Sequence, residues 1–276
     1  MVKVSTRETN NMGQHPLPWK LIQYLPFGIA ALCFLGCVIV EILGVEISGE
    51  ARTQFYRSFG DVCYYSCILL STLHCRKYGV NWFLCLLFSY LTFLLLLSYL
   101  SGGWTDLDIL VFGSGTVAAF RAILALPLLC LVFSRLCKVD TLNLCDALAP
   151  YCFFMHGIVT VACWIEGCCA GKPQSWGLLN PLNGMTVFPL QPCIILLSLG
   201  VAFWGLEFAK KQSYRANGMV FANSLIIYGC VRYVLELFSD DPRMFGVTSW
   251  LGICALMSIA LGFLVRRISE KHYQTP

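Results

Sequence analysis

The chain has 276 residues, of which 58% are hydrophobic and only 12% are charged, and its formal net charge is +4. Soluble globular proteins carry about 25% charged residues, so this composition excludes an ordinary soluble enzyme, a disordered protein and a nucleic-acid-binding module. Together with a mean hydropathy of +0.71, it indicates an integral membrane protein.

Eight apolar segments follow a polar N-terminus at residues 1–20. A bilayer core of roughly 30 Å needs about 20 helical residues, and most segments reach that length, although the second is short and contains Asp61. The segments are 21–45, 60–75, 81–100, 108–134, 147–168, 187–208, 217–237 and 246–266. No small-residue cleavage site follows the first segment, so we expect no removed signal peptide.

Basic residues between the segments predict the orientation. If both termini are cytoplasmic, the inner segments hold thirteen Lys and Arg residues and the outer loops hold four, which is the bias that the positive-inside rule describes. A seven-helix count would break this alternation. We therefore predict an all-α polytopic membrane protein with eight transmembrane helices and both termini cytoplasmic, the C-terminal tail being residues 267–276.

The 16 cysteines lie mostly inside apolar segments, where cysteine packs as a small hydrophobe. Cys63 and Cys67 share a helix face but have no nearby His or carboxylate to complete a metal site, and we predict no metal and no cofactor. Cys168 and Cys169 differ from the others because they end a helix inside a glycine-punctuated stretch.

Arg121 and Arg232 lie within predicted helices, where a charge near the bilayer centre costs at least about 2.5–3.5 kcal/mol and usually faces a cavity or a partner. Arg232 and Glu236 are one helical turn apart on one face. An arginine that opens toward the outer leaflet can bind a lipid phosphate, because guanidinium stays charged and binds phosphate bidentately. The structural alternative is an Arg232–Glu236 ion pair that only holds helices together.

Other polar groups are predicted at the same outer depth. Ser114 lies in the fourth segment, Glu166 at the end of the fifth and Gln191 at the start of the sixth. These residues also have structural alternatives. Glu166 could be a hydrated carboxylate at the interface, and Arg121 could pack between helices or extend toward the inner interface. His156, in the fifth segment, is more simply a hydrogen-bonded interior histidine than a base.

Four motifs in sequence order carry a resemblance. The first is residues 64–80, which begin with Y-Y and end in R-K-Y-G-V and look like the first helix of the family named below and its basic exit. Residues 146–171, which end in A-C-W-I-E-G-C-C-A-G, resemble a divergent signature of the prolipoprotein diacylglyceryl transferase family, in which G-C-F-x-x-G-C-C-x-G replaces G-N-F-x-N-G-E-x-x-G. Residues 188–191 (F-P-L-Q) resemble its H-P-x-Q step, and residues 228–238 resemble its Y-G-x-x-R-F-x-x-E-F-F segment. The resemblance covers about residues 60–266, which leaves segment 21–45 as an addition to a seven-helix core.

The resemblance implies a reaction in a bacterial plasma membrane. The family transfers a diacylglyceryl group from phosphatidylglycerol to the thiol of a lipobox cysteine in a secreted precursor, and releases glycerol phosphate. This chemistry needs a phosphate clamp, a base that generates thiolate and lateral access for a lipid. By position, Arg232 and Glu236 match the family's arginine and glutamate, and Gly171 matches its closing glycine.

The chain also departs from the family pattern. Gly113 stands where the family has a histidine, Thr160 where the signature has its first arginine, Cys163 and Glu166 where it has asparagines, and Cys168 where it has an acidic residue. We expect Arg232, Glu236, Glu166 and Cys168 to be catalytic, with Arg121, Gly171, Gln191, Cys169, Ser114 and His156 binding substrate. Two alternatives remain open: a lipid-binding protein that kept the scaffold without the chemistry, and thiol redox work by the adjacent cysteines, whose bridge would be strained.

Overall fold

The computed structural model divides the chain into two compact units, Met1–Val45 and Glu46–Pro276. In the first unit it describes positions 24, 28, 32, 35, 36 and 39, all of which are helical and lie inside the predicted segment 21–45. In the second unit it describes residues 49–76, 80–98, 115–166, 170–180, 183–211, 218–240, 243–244 and 248–274.

The described part of the second unit contains seven helices. They are α1 (Gly49–Arg76), α2 (Trp82–Ser98), α3 (Gly115–Cys137), α4 (Thr141–Glu166), α5 (Leu190–Lys211), α6 (Met219–Glu236) and α7 (Trp250–Gln274). The expectation of a mostly helical chain is confirmed. Helices α1 and α4 begin before the predicted segments, because polar turns extend a helix beyond its apolar part. The count of eight and the cytoplasmic termini stay predictions.

Four described helices are long and apolar enough to cross a membrane. Their spans are Thr141–Val161, Leu190–Ala209, Met219–Glu236 and Leu251–Lys271. Large apolar side chains such as Leu128, Phe203 and Phe263 are exposed on the outer faces of the helices. Such faces suit a lipid environment, which is as apolar as the side chains themselves.

Helix α4 is the central helix of the second unit. It contacts α1, α2, α3, α5 and α6, and residues 144–161 are buried throughout. A helix that is apolar all round is typically surrounded by protein or lipid on every side. Polar side chains on α4 therefore have partners on other helices within reach.

Helices α6 and α7 approach closely at two glycines. A Cβ added at Gly229 would lie 2.8 Å from the Ala255 carbonyl oxygen, and one added at Gly262 would lie 2.8 Å from the Ala222 carbonyl oxygen. The Ser258 hydroxyl donates to the Leu225 carbonyl across the same contact, at 2.9 Å. Small residues and interhelical hydrogen bonds of this kind join helices in membranes, so α6 is held firmly against α7.

Two short hairpins interrupt the helices, and the all-α expectation missed them. Strand β1 (Pro173–Leu179) pairs antiparallel with β2 (Thr186–Val187), and β3 (Arg243–Met244) pairs antiparallel with β4 (Thr248–Ser249). Neither sequence alternates apolar and polar residues clearly enough to predict a strand. The β1–β2 hairpin connects α4 to α5, and the β3–β4 hairpin connects α6 to α7.

Asp146 of α4 fixes the beginning of α6. Its carboxylate accepts hydrogen bonds from the backbone N–H groups of Gly218 at 2.7 Å and Phe221 at 2.8 Å. Gly218 has a left-handed φ of 89° and offers no side-chain cap of its own. The buried Asp146 therefore caps α6 from another helix, satisfying amides that an N-terminal turn leaves without intrahelical partners.

We expect Asp146→Ala to lower the free energy of unfolding by about 2 kcal/mol, because two buried amides lose a charged acceptor. Thermal unfolding in detergent measures this change. Asp140→Ala is the matched control, since the exposed Asp140 accepts from the Leu142 N–H at the start of α4 and an exposed cap of this kind is worth about 1 kcal/mol. Equal losses in the two variants would contradict the role of Asp146.

Candidate functional site

A buried ion pair lies at the end of α6. The Arg232 Nη1 atom is 2.6 Å from the Glu236 Oε2 atom, and the two residues are 2% and 6% exposed. The helical period predicts this pairing, because residues four apart share a face. The ion pair engages Nη1, and among the described residues Arg232 forms no second ion pair. A guanidinium has further N–H donors in a planar fork, which suits a phosphate.

Ser249 holds the carboxylate of this pair in place. Its hydroxyl donates to Glu236 Oε1, and the Ser249 Oγ atom itself accepts from the backbone N–H of Gly252 at 3.1 Å. Ser249 directly precedes α7 and serves as its N-cap. One buried hydroxyl thus ties the end of α6 to the start of α7. The sequence analysis missed Ser249, although a serine immediately before an apolar run is a recognisable helix-start signal.

A second polar cluster lies next to the ion pair, between α4, α5 and α6. His156 Nδ1 is 3.0 Å from the Ser198 hydroxyl and 3.4 Å from the Tyr228 hydroxyl, and all three residues are buried. Tyr228 is one turn before Arg232 on the same face of α6. His156 is therefore a hydrogen-bonded interior histidine, as its structural alternative in the sequence analysis describes. Through Tyr228 it contacts the face of α6 that carries Arg232.

Thr160 lies one turn after His156 on α4. Its hydroxyl donates to the His156 carbonyl oxygen at 2.8 Å, and the side chain is 1% exposed. A back-bonded threonine is satisfied within its own helix. The family resemblance leads us to expect an arginine here. Thr160 provides no positive charge, and its hydroxyl is already bonded to its own helix.

The end of the signature is joined to the end of α6. Gly171 and Ser239 form an isolated antiparallel bridge, the Lys172 N–H donates to the Phe238 carbonyl at 2.8 Å, and the Asp240 N–H donates to the Ala170 carbonyl at 3.3 Å. Glu236 precedes this bridge by only three residues. Gly171 and the Arg232–Glu236 pair, which are far apart in the sequence, are therefore brought to the same end of the molecule.

Gly171 fits there because it has no side chain. A Cβ at this position would lie 2.3 Å from the Phe188 carbonyl oxygen and 2.8 Å from the Phe188 Cβ. That carbonyl accepts from the Leu190 N–H at 2.7 Å, and the Phe188 N–H donates to the Lys172 carbonyl at 3.0 Å. The backbone at Phe188 is held from both sides, so it cannot move easily to admit a larger residue.

A pocket opens beside Ala170 and Phe188. Its walls include Trp164, Ala170, Asn180, Val187, Phe188 and Gln191. Gln191 is in the first turn of α5, and both Gln191 and Asn180 are buried. The structure therefore brings Gln191 next to the closing part of the signature, and adds Asn180 as a second side-chain amide that the sequence analysis did not single out.

The structure does not describe the side chains of several predicted site residues. Gly113, Ser114, Cys168 and Cys169 lie outside the described residues. Arg121 lies within α3 and Glu166 is the last residue of α4, so their backbone positions are known and their roles stay predictions. Among the described residues, the cysteines are free thiols and no group of three or more His, Cys, Asp and Glu could hold a metal ion.

Comparison with known proteins matches residues 89–267 to the family described as prolipoprotein diacylglyceryl transferase. A phosphatidylglycerol–prolipoprotein diacylglyceryl transferase of Clostridium tetani is 28% identical over 142 residues, which are 48% of this chain and 55% of the relative. A second such protein, from Clostridium perfringens, is 25% identical over 167 residues, 58% of this chain and 64% of the relative. The chain thus spans less than two thirds of the length of either relative.

Proposed function

The chain belongs to the prolipoprotein diacylglyceryl transferase family, and we propose that it is a multi-pass transferase of the bacterial plasma membrane. Its donor is phosphatidylglycerol or another anionic phospholipid in the outer leaflet, and its acceptor is a thiol such as the lipobox cysteine of a secreted precursor. The names of both relatives specify phosphatidylglycerol and a prolipoprotein, and that similarity supports the same substrates here.

The observation that carries this proposal is the buried Arg232–Glu236 pair, which lies three residues before the bridge between Ser239 and Gly171, the closing glycine of the signature. Burial of an unpaired charge costs free energy, so a buried arginine in a membrane protein usually has a charged partner or a functional role. Glu236 neutralises Arg232 and, held by Ser249, orients the guanidinium. Arg232 can then donate to an anionic phosphate from the lipid through its remaining N–H groups.

The proposed reaction balances as a displacement at carbon. The acceptor S–H gives its proton to a base, for which we propose Glu166, with Cys168 and Cys169 lining the thiol side. The thiolate forms a C–S bond to the glyceryl carbon that carries the phosphate ester, and the C–O bond breaks. The electron pair stays on the phosphate oxygen, so glycerol phosphate leaves with one more negative charge, which Arg232 stabilises.

Arg121, Ser114, Gly171, Gln191 and His156 are proposed to form the substrate site around this centre. Gln191 lines the pocket beside Ala170 and Phe188, and Gly171 directly follows Ala170 and approaches the Phe188 carbonyl closely. His156 contacts the Arg232-bearing face through Tyr228. We also propose that the transferase core covers residues 60–266 and that segment 21–45 adds a further transmembrane helix.

A second candidate function is phospholipid binding without turnover. Thr160 favours it, because its hydroxyl is bonded within α4 and supplies no second positive charge for a leaving phosphate. In this case the protein would hold an intact phospholipid at Arg232, and no acceptor thiol would react.

Lipoprotein mass in a bacterial strain depleted of its own transferase separates the two functions. We expect expression of the full chain to add a diacylglyceryl group to the precursor, detected as a mass increase at the lipobox cysteine. Purified protein with phosphatidylglycerol and a thiol peptide should then release glycerol phosphate. Bound phospholipid that stays intact in both assays would overturn the transferase proposal in favour of lipid binding.

A further inference from the structure

The β1–β2 hairpin exposes a cluster of large apolar side chains. Trp176 and Leu179 are each 60% exposed, and Met185 is 47% exposed. We call the exposed apolar surface that Trp176, Leu179 and Met185 provide the hairpin face. The strand register puts Leu179 beside Thr186 and Met185 beside Asn180, so this surface includes side chains from both sides of the hairpin. Soluble surfaces carry single exposed hydrophobic residues without consequence, but three in one short hairpin call for a covering partner.

The hairpin also lacks charge. Residues 173–187 (P-Q-S-W-G-L-L-N-P-L-N-G-M-T-V) contain no Asp, Glu, Lys or Arg, whereas about one residue in four is charged in an average soluble protein. The hairpin links α4 to α5, and both helices contain spans long and apolar enough to cross a membrane. Val187, the last residue of the hairpin, is only three residues before the candidate span that begins at Leu190.

The hairpin face is held in a fixed orientation. The Asn180 N–H donates to the Met185 carbonyl at 2.9 Å, and the Gly184 N–H donates to the Asn180 carbonyl at 2.8 Å. The Trp176 ring meets the Phe188 ring edge-on, with centroids 5.8 Å apart, and Phe188 stacks on Phe238 at 4.5 Å. An aromatic row thus connects the hairpin to the end of α6.

We propose that the hairpin face inserts into the headgroup layer of the bilayer, so that Trp176, Leu179 and Met185 contact lipid. Tryptophan is enriched at this depth because its ring is apolar and its N–H can still reach water or a headgroup. Insertion holds the pocket beside Gly171 at the lipid surface. The inference rests on the membrane placement in the proposed function and is independent of turnover.

Tryptophan fluorescence of the full chain in nanodiscs tests the contact. The lipid quencher is phosphatidylcholine brominated near the headgroup, and the aqueous quencher is iodide. The emission of Trp176 is the part of the total emission that the Trp176→Phe substitution removes. We expect bromolipid to quench this part most strongly and iodide to quench it least. Trp164→Phe is the matched control, because Trp164 is buried and its removal should leave the bromolipid-quenched fraction unchanged.

Two outcomes would overturn the inference. In the first, the emission removed by Trp176→Phe is quenched by iodide and not by bromolipid, so the hairpin face lies in water. In the second, bromolipid has no effect and an alkylated acceptor peptide protects Trp176 from iodide, which assigns the face to the peptide. Neither measurement requires diacylglyceryl transfer. A protein without transferase activity whose Trp176 emission is strongly quenched by bromolipid would therefore contradict the proposed function but support this inference.

Discussion

Replacing Arg232 and Glu236 together by glutamine is expected to give a folded protein that no longer transfers lipid. Two glutamines four residues apart can hydrogen-bond on one helix face, and the Ser249 hydroxyl retains an acceptor at position 236. The double variant lacks the guanidinium charge that we propose binds the lipid phosphate. Loss of one such electrostatic group costs about 100- to 1,000-fold in rate, measured as glycerol phosphate released per minute.

The single variants separate stability from chemistry. Arg232→Gln leaves the Glu236 carboxylate buried without its cation, and breaking a buried pair from one side costs about 3–5 kcal/mol of unfolding free energy. We therefore expect a lower melting temperature for Arg232→Gln than for the double variant. The coupling between the two sites follows from the full double-mutant cycle.

The exposed pair on α7 provides a matched control for the buried one. Arg266 and Glu270 have the same spacing, with Nε 2.9 Å from Oε1, and their side chains are 46% and 51% exposed. An exposed pair of this kind is worth about 0.3–0.5 kcal/mol, so Arg266→Gln with Glu270→Gln should change neither rate nor stability appreciably. A buried double variant with the wild-type rate would reduce Arg232 and Glu236 to a structural pair.

Local periodicity explains what could be predicted about this site. Apolar runs of membrane length predict helices because the backbone must satisfy its own hydrogen bonds in lipid, and the spacing of Arg232 and Glu236 places them on one face. Their partner Ser249 lies beyond a hairpin on the next helix. No local period relates residues across such a turn, so this contact became visible only in the folded chain.

The cap on α6 and the two hairpins are missing from the sequence analysis for a related reason. Asp146 lies 72 residues before Gly218 and immediately before the predicted segment 147–168, and no local pattern relates it to the start of another helix. Strands β2, β3 and β4 have two residues each, which is too short for an alternating pattern. Their pairing depends on where the surrounding helices end.

Replacing Gly171 by alanine is expected to lower both activity and stability, because the new Cβ would lie 2.3 Å from the Phe188 carbonyl oxygen. Overpacking of a rigid contact costs about 1–3 kcal/mol. The backbone at position 171 would have to move away from Phe188, and its bridge to Ser239 would move with it. A displacement of about 1 Å at a reacting centre can cost 100-fold in rate, so we expect a fall of that order in diacylglyceryl transfer.

Gly184→Ala is the matched control, since Gly184 lies in the same connection between α4 and α5, in the turn between β1 and β2, and a Cβ there would meet no atom within 4 Å. Its φ of 69° is left-handed, so alanine should cost about 1 kcal/mol through backbone strain and leave the rate unchanged. Comparison of the two variants separates loss of stability from loss of alignment. A Gly171→Ala protein with wild-type rate and melting temperature would mean that the backbone at position 171 adapts to the larger side chain. The close approach of Gly171 to Phe188 would then not position the proposed site.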